Sequence, residues 1–389
     1  MPITLRELGP ELDASIEAGN AVMIESPSGI GKSQKIYQSY ERFKARHEAA
    51  GKKVGFGQIF AATQTPPDLI GFQFKGEREF VIGQDAEGKD IHKRVTVTDP
   101  SVPLWMLSTE GKPAFMYDKF YLFIDEYGQG EPDVKRAIAE IFLNGGTSPW
   151  YLPPGSVRVS ATNRGARYGV TKDFDFCISR RTLLQVVGDA KVWIEDFADH
   201  PYWHQGRQWK VMSVIKAWAE SNSSVLFESE PEKQGPWCNP RAITAVDRYL
   251  QVKWGPNGEK CKPSDSTTIE NVAGTIGMPA TAALMAHFQF KLQLPSYDTV
   301  VSDPKGTPVP SKADMMLLMI YELAGLVQPD DLAQVITYVE RFGAKDMAIT
   351  FVSTLLRRDY KSFTTLPAMA AWISRNSGLL SVVQALATN

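Results

Sequence analysis

Along the first 188 residues, short apolar runs alternate with longer stretches whose apolar side chains recur at helical spacing. Ala21–Glu25, Val54–Phe60, Tyr121–Asp125, Val157–Ala161 and Leu183–Val187 are such runs, each bounded by turn residues or charges. That pattern predicts strands buried on both faces. Lys32–Ala49, stopped by Gly51, and Glu131–Leu143, stopped by Gly145-Gly146, read as helices. In the second, Pro132 suits the first turn, and Val134, Ile138 and Ile141 fall on one face. Repeated strand-then-helix units predict a parallel sheet sandwiched by helices. Between Pro66 and Lys119 the runs Phe72–Phe74, Glu79–Ile82 and Arg94–Val97 read as a hairpin around the turn Gln84–Lys89.

Beyond about residue 190 the strand signal fades and helical patterns dominate. Asn239 caps a helix that has Pro240 in its first turn and Ile243, Val246 and Leu250 on its apolar face. The stretches 313–326, 329–343 and 345–357 also read as helices, while Gly255–Ser266 and Ser302–Lys312 read as loops. The aromatic-rich stretch Trp193–Trp218 suits either packing within this helical part or a subunit contact. No internal repeat interrupts the chain.

A length of 389 residues predicts two or three domains. Forty-two basic residues against forty-four acidic ones leave a net charge of −2, which disfavours a nucleic-acid binder while leaving room for a local basic patch. No uninterrupted run of about 18 apolar residues is present to cross a membrane. The start, MPITLRELGPELD, lacks the basic segment and apolar run of a signal peptide. Cys177, Cys238 and Cys261 form no C-x-x-C pair, so a reducing, cytoplasmic setting is expected.

The sharpest chemical signal is Ser26-Pro27-Ser28-Gly29-Ile30-Gly31-Lys32-Ser33, between a strand and a helix. It matches the second half of G-x-x-x-x-G-K-[ST]. Gly29 and Gly31 let the backbone curl so that N–H groups from Ser28 to Gln34, Ile30 included, point at phosphate oxygens. Lys32 is placed to reach the β- and γ-phosphates of ATP, and Ser33 to ligate Mg²⁺. Ser26 replaces the usual first glycine, which either weakens the cradle or reshapes the loop. Downstream, Tyr121-Leu122-Phe123-Ile124-Asp125-Glu126 is an apolar strand ending in two carboxylates. Beside a phosphate loop, Asp125 would hold the Mg²⁺ water shell and Glu126 would act as general base. Val157–Asn163 is a third such strand, whose terminal Asn163 would orient water near the γ-phosphate. His200 and His204 have Pro201 between them and no third ligand, so no zinc site is expected.

In this order SPSGIGKS, YLFIDE, VSATN and NPRA resemble the AAA+ ATPases, and within them the MoxR-like branch. Glu25 before the loop, Pro67-Asp68-Leu69-Ile70-Gly71 after the second strand and Asn239-Pro240-Arg241 extend the resemblance over roughly residues 15–255. It implies a P-loop NTPase (AAA+) α/β core over 1–188 carrying the hairpin insertion at 66–119. An all-α lid over 189–295 and an additional C-terminal helical region over 296–389 would follow. It also implies an arginine finger at Arg180, with Arg181 as the alternative, reaching a neighbouring subunit's nucleotide. Arg241, opening a lid helix, would contact phosphate in its own subunit. By the same resemblance the protein would be a homo-oligomer, a hexameric ring, using Mg-ATP hydrolysis to remodel a protein client. A separate chain with a von Willebrand factor A domain would be a typical partner. The hairpin would contact the client or simply pack the domain edge. Gly128-Gln129-Gly130 departs from the family pattern and predicts a flexible link after Glu126. Two other functions use the same core: a nucleic-acid motor or helicase loader, drawing on Lys75, Arg78, Lys89, Lys93 and Arg94 in the hairpin, and a slow ATP-gated switch.

Overall fold

The structure, a computed structural model, describes residues 2–164, 169–228 and 235–376. Its contacts divide the chain into two compact units, Met1–Val187 and Gly188–Asn389.

In the first unit the elements run β1 (Ile3–Thr4), α1 (Leu5–Glu17), β2 (Val22–Ser26), α2 (Lys32–Ala49), β3 (Val54–Phe60) and α3 (Pro66–Ile70). They continue β4 (Gln73–Gln84), β5 (Asp90–Pro100), β6 (Lys119–Asp125), α4 (Pro132–Asn144), β7 (Gly146–Thr147), β8 (Trp150–Tyr151), β9 (Val157–Asn163), α5 (Asp175–Ile178) and β10 (Thr182–Val187). Six strands form one sheet in the order β1-β10-β2-β9-β6-β3, parallel throughout. The five strands expected from apolar runs are all present, with ends shifted by at most two residues. The short β1 and the helix α1, capped reciprocally by Thr4 and Glu7, are additions that too few apolar positions announced.

Alternation along β6 explains why the sheet is covered on both faces. Phe120, Leu122 and Ile124 pack with Val134, Ile138 and Ile141 of α4. Tyr121 and Phe123 turn the other way, into an aromatic cluster with Tyr37, Tyr40 and Phe43 of α2 and Phe56 of β3. Gly55 and Gly57 on β3 make room for the Phe120 ring, which a Cβ at either position would approach to 2.7 Å. The expected hairpin is longer than its apolar runs suggested: β4 and β5 pair antiparallel from Gln73↔Pro100 to Gln84↔Asp90. Its side chains are mostly exposed, because among the described residues no other element covers either face.

The second unit holds α6 (Ala190–Trp193), β11 (Tyr202–His204), β12 (Arg207–Trp209), α7 (Ser213–Ser221), α8 (Ser223–Phe227), α9 (Pro240–Trp254), α10 (Ser266–Ile276) and α11 (Met278–Lys291). It continues with α12 (Tyr297–Ser302), α13 (Ala313–Leu326), α14 (Leu332–Glu340), α15 (Lys345–Arg358), α16 (Tyr360–Thr364) and α17 (Pro367–Arg375). The segments read from sequence as lid and C-terminal region therefore share one unit, joined where α7 packs on α13 and α11 on α13. Residues 377–389 of that region lie outside the described residues. Trp193 and Trp218 are buried, whereas Trp203, in the middle of β11, is exposed. Among the described residues no helix is long and apolar enough to cross a membrane.

Candidate functional site

Strand β2 ends at the buried Ser26, and the chain then curls through Gly29 and Gly31, with φ of 78° and 112°, before α2 begins. Both angles lie in the left-handed region where a Cβ is disfavoured, so glycine at these two positions is what the turn requires. Ser26 itself has no positive φ; its hydroxyl donates to Pro27 O at 2.8 Å, and its carbonyl accepts the Arg164 N–H at 3.0 Å. The serine thus sits in strand geometry without strain, and the curl lies entirely in the two glycines.

Parallel pairing brings the polar strand ends together. Ser26 lies beside Asn163 in the β2–β9 register, and β9 lies between β2 and β6. Lys32 Nζ donates to Asn163 Oδ1 at 2.9 Å and to Pro27 O at 3.1 Å. Ser33 Oγ donates to Asp125 Oδ2 at 3.2 Å. Lys32, Ser33, Asp125 and Asn163, separated by up to 131 residues, meet at one sheet edge. The pair Ser33–Asp125 offers two hard oxygens, one anionic, at a helix start. That donor set suits Mg²⁺, which takes few protein oxygens and keeps the rest of its shell as water. Glu126 follows directly, exposed and in left-handed geometry with φ 52°, its N–H donating to Asp125 Oδ1 at 2.9 Å. Such a conformation costs a non-glycine residue about 1 kcal/mol or more. Glu25, one residue before Ser26, accepts from Gln185 Nε2 at 3.0 Å.

The turn after Glu126 is not the flexible link expected. Tyr127–Gln129 form a 3₁₀ turn in which Tyr127 and Gly128 are buried. A Cβ on Gly128 would come within 2.1 Å of Thr162 Oγ1, so this glycine serves close packing. Thr171 fastens the turn, its N–H donating to Gly128 O at 2.9 Å and its hydroxyl to Gly130 O at 3.0 Å.

The two arginines of the doublet have different surroundings. Arg181 has a side chain 3% exposed, ion-paired to Asp173 and stacked 4.7 Å over the Tyr127 ring. Arg180 is partly exposed, paired to Glu140 Oε1 at 2.7 Å and flanked by the exposed Phe176 and Ile178. Asp173 also accepts from Tyr127 Oη at 3.1 Å and lies 3.4 Å from the buried Lys135 Nζ, which donates to Thr171 O at 2.8 Å. Burial holds the Lys135 ammonium below its ordinary range, with Asp173 opposing the shift, and pushes the Tyr127 hydroxyl upward. Sequence reading missed this cluster. Its one local sign is Lys135 itself, a charge on the α4 face shared with Val134, Ile138 and Phe142. Arg241 is exposed in the first turn of α9, where Asn239 caps the helix by accepting the Ala242 N–H at 3.0 Å.

The sheet order, the glycine curl between β2 and α2, the carboxylate strand one place beyond the asparagine strand, and the helical unit that follows make this a P-loop NTPase fold in its AAA+ form. No protein-family model matches the chain, and no curated protein matches its sequence. Solved structures that resemble it include a RuvB mutant of Thermotoga maritima, 13% identical over 86% of this chain and 91% of that one, at a TM-score of 0.31. NtrX of Brucella abortus in complex with ADP is 14% identical over 96% of this chain and 67% of its own, at 0.30. The Aeropyrum pernix ORC1 protein in complex with DNA is 12% identical over 90% and 91%, at 0.29. Likeness this slight assigns no activity.

Proposed function

We propose that this chain is a MoxR-like AAA+ ATPase that hydrolyses Mg-ATP as a homo-oligomer, a hexameric ring, and uses the motion to remodel or assemble a protein partner. The observation that carries this reading is the meeting of Lys32 with Asn163 and of Ser33 with Asp125 at one sheet edge. When ATP enters, Lys32 exchanges Asn163 and backbone carbonyls for phosphate oxygens, and the N–H groups from Ser28 to Gln34 surround the β-phosphate. Ser33 and Asp125 would hold Mg²⁺, which would supply neutralising positive charge. Glu126 takes a proton from water as that water attacks the γ-phosphorus, while Asn163 orients it; ADP leaves with the β–γ bridging oxygen.

Arg180 is the better finger of the two, because its side chain is partly exposed and its partner Glu140 lies nearer solvent, whereas Arg181 would have to break a buried ion pair to reach a neighbour. Arg241 contributes phosphate contact from the helical unit. A protein partner, such as a separate von Willebrand factor A-domain chain, is favoured over nucleic acid by the hairpin. Phe74, Phe80 and Val95 are exposed on one of its faces. The five basic residues between 73 and 100 are outnumbered by Glu77, Glu79, Asp85, Glu87, Asp90 and Asp99, and Arg78 is paired with Asp99. Multiple-turnover phosphate release tests the enzyme against a slow switch. Light scattering of Glu126→Gln with ATP, ADP or no nucleotide tests assembly: the expected result is a closed particle only with ATP. A protein that binds ATP yet stays monomeric removes the basis for a finger in trans. Hydrolysis stimulated by DNA and lost at high salt would favour the nucleic-acid motor.

A further inference from the structure

Three features of the first unit have no assigned role: a cavity of about 540 Å³ at the opposite edge of the sheet, the exposed hairpin face, and the buried cluster around Asp173. The cavity is lined by Arg46, His47, Lys119 and Arg158, but their charge is already answered. Arg158 donates to Phe142 O and Gly19 O, Lys119 to Pro154 O, and Arg46 is paired with Glu17. For the hairpin, the structure contains no occupant. The cluster goes further, because of what lies on either side of it in the chain.

Tyr127 is joined by one peptide bond to Glu126, and Arg181 by one to Arg180. Asp173 holds both Tyr127 Oη and the Arg181 guanidinium, and Lys135 fixes the same segment through Thr171 O. The segment is also bonded to the turn at Gly128 and Gly130, where Gly128 leaves no room for a Cβ beside Thr162. The turn bearing the catalytic base and the strand start bearing the finger are therefore one hydrogen-bonded body. Through these bonds a backbone rearrangement of the Glu126 turn on ATP binding or product release is passed on to Asp173 and Arg181. Glu126 serves its own subunit's nucleotide, while Arg180 serves the next subunit's.

We propose that Asp173 is a positioning residue that couples the Glu126 turn of one subunit to the Arg180 it presents to its neighbour, so that each active site reports its nucleotide state to the next. The proposal rests on the trans-finger reading above, so its test must separate the two.

The test is a mixing experiment on the full chain. Wild-type subunits are titrated with Glu126→Gln subunits, which bind ATP without turning it over. Coupled sites give activity that falls more steeply than the fraction of intact subunits. The same titration is repeated with Asp173→Asn in every subunit, where the expected curve is proportional, KM for ATP stays within about two-fold, and kcat falls about ten-fold. If Asp173→Asn does not fold, Tyr127→Phe replaces it, since it removes one hydrogen bond and leaves both cations paired with the carboxylate. A steep curve that persists in the variant, or a proportional curve already in wild type, overturns the proposal. Arg180→Ala is assayed in parallel. If it hydrolyses ATP like wild type, the trans-finger reading falls with the proposal; if it is inactive and the mixing curves do not change, only the coupling role falls.

Discussion

Each unit of the molecule contains an aspartate that bridges two cations, half-buried in the first and buried in the second, and the two bridges differ in what they adjoin. In the first unit Asp173 joins Lys135 and Arg181, and both the arginine and Tyr127 adjoin residues whose functional groups reach the surface. In the second unit Asp199 accepts from Lys216 Nζ on α7 and Arg357 Nε on α15, each at 2.9 Å, with Glu195 3.3 Å from the same arginine. Here all partners lie inside helix packing. Breaking a buried pair by removing one partner costs about 3–5 kcal/mol wherever it lies. The difference is in what lies next to each: the second bridge holds helices together, whereas the first adjoins, through Tyr127 and Arg181, the two residues proposed as base and finger.

Predictions that sharpen or break this contrast start with the site itself. Lys32→Ala should lower hydrolysis by about 10³-fold or more, with the melting temperature nearly unchanged, as steady-state kinetics and calorimetry would read. Arg180→Ala should lower kcat by a similar factor and leave stability alone, while Arg181→Ala should destabilise the fold by about 3–5 kcal/mol in denaturant. Equal effects of the two on stability would erase the distinction drawn between the neighbours. Asp199→Ala should likewise cost about 3–5 kcal/mol yet leave ATP affinity unchanged by calorimetry; an altered affinity would show that the second bridge also serves the nucleotide.

The next effect is on pH. Asp247, buried in α9, accepts the Met212 N–H at 3.0 Å and Gln251 Nε2 at 2.7 Å, and burial pushes its carboxyl up to about 7. Between about pH 4 and 7 the unfolded chain has lost this proton and the folded chain keeps it, so stability should fall with rising pH by at most about 1.4 kcal/mol per unit from this group. Melting curves from pH 5 to 8 check the sign, and Asp247→Asn should flatten them. Smallest of all is Ser26→Gly. It removes a hydroxyl that, among the described residues, bonds to its neighbour's carbonyl alone, so kcat should change less than about three-fold.

Much of the first unit was legible because two-sided burial writes continuous apolar runs. Val54–Phe60 and Lys32–Ala49 stand where the pattern put them, to the residue. The meeting of Lys32, Ser33, Asp125 and Asn163 was legible for the same reason: parallel strands carry their polar ends to one edge. Gly128 was misread because local sequence shows a glycine's freedom but not the Thr162 side chain that fills the space beside it. Asp173 was invisible, since a lone acid outside regular structure has no periodicity, and its partners lie 38 and 46 residues before it and 8 after. In the helical unit, helices were readable one by one. Their joining into one body through α7, α11 and α13 depends on tertiary contacts that amphipathic spacing does not encode.

The hairpin has one more consequence, and it is mechanical. The eleven residues of β5 extend about 36 Å at about 3.3 Å per residue. The root is clamped: Leu69 and Trp105, just outside the two arms, are buried in one core cluster, and Trp105 Nε1 donates to Leu69 O at 2.7 Å. A stiff ribbon fixed at one end is an oar. Turning its root by about 10° sweeps the blade through about 6 Å over that length, roughly the spacing of two residues in an extended polypeptide.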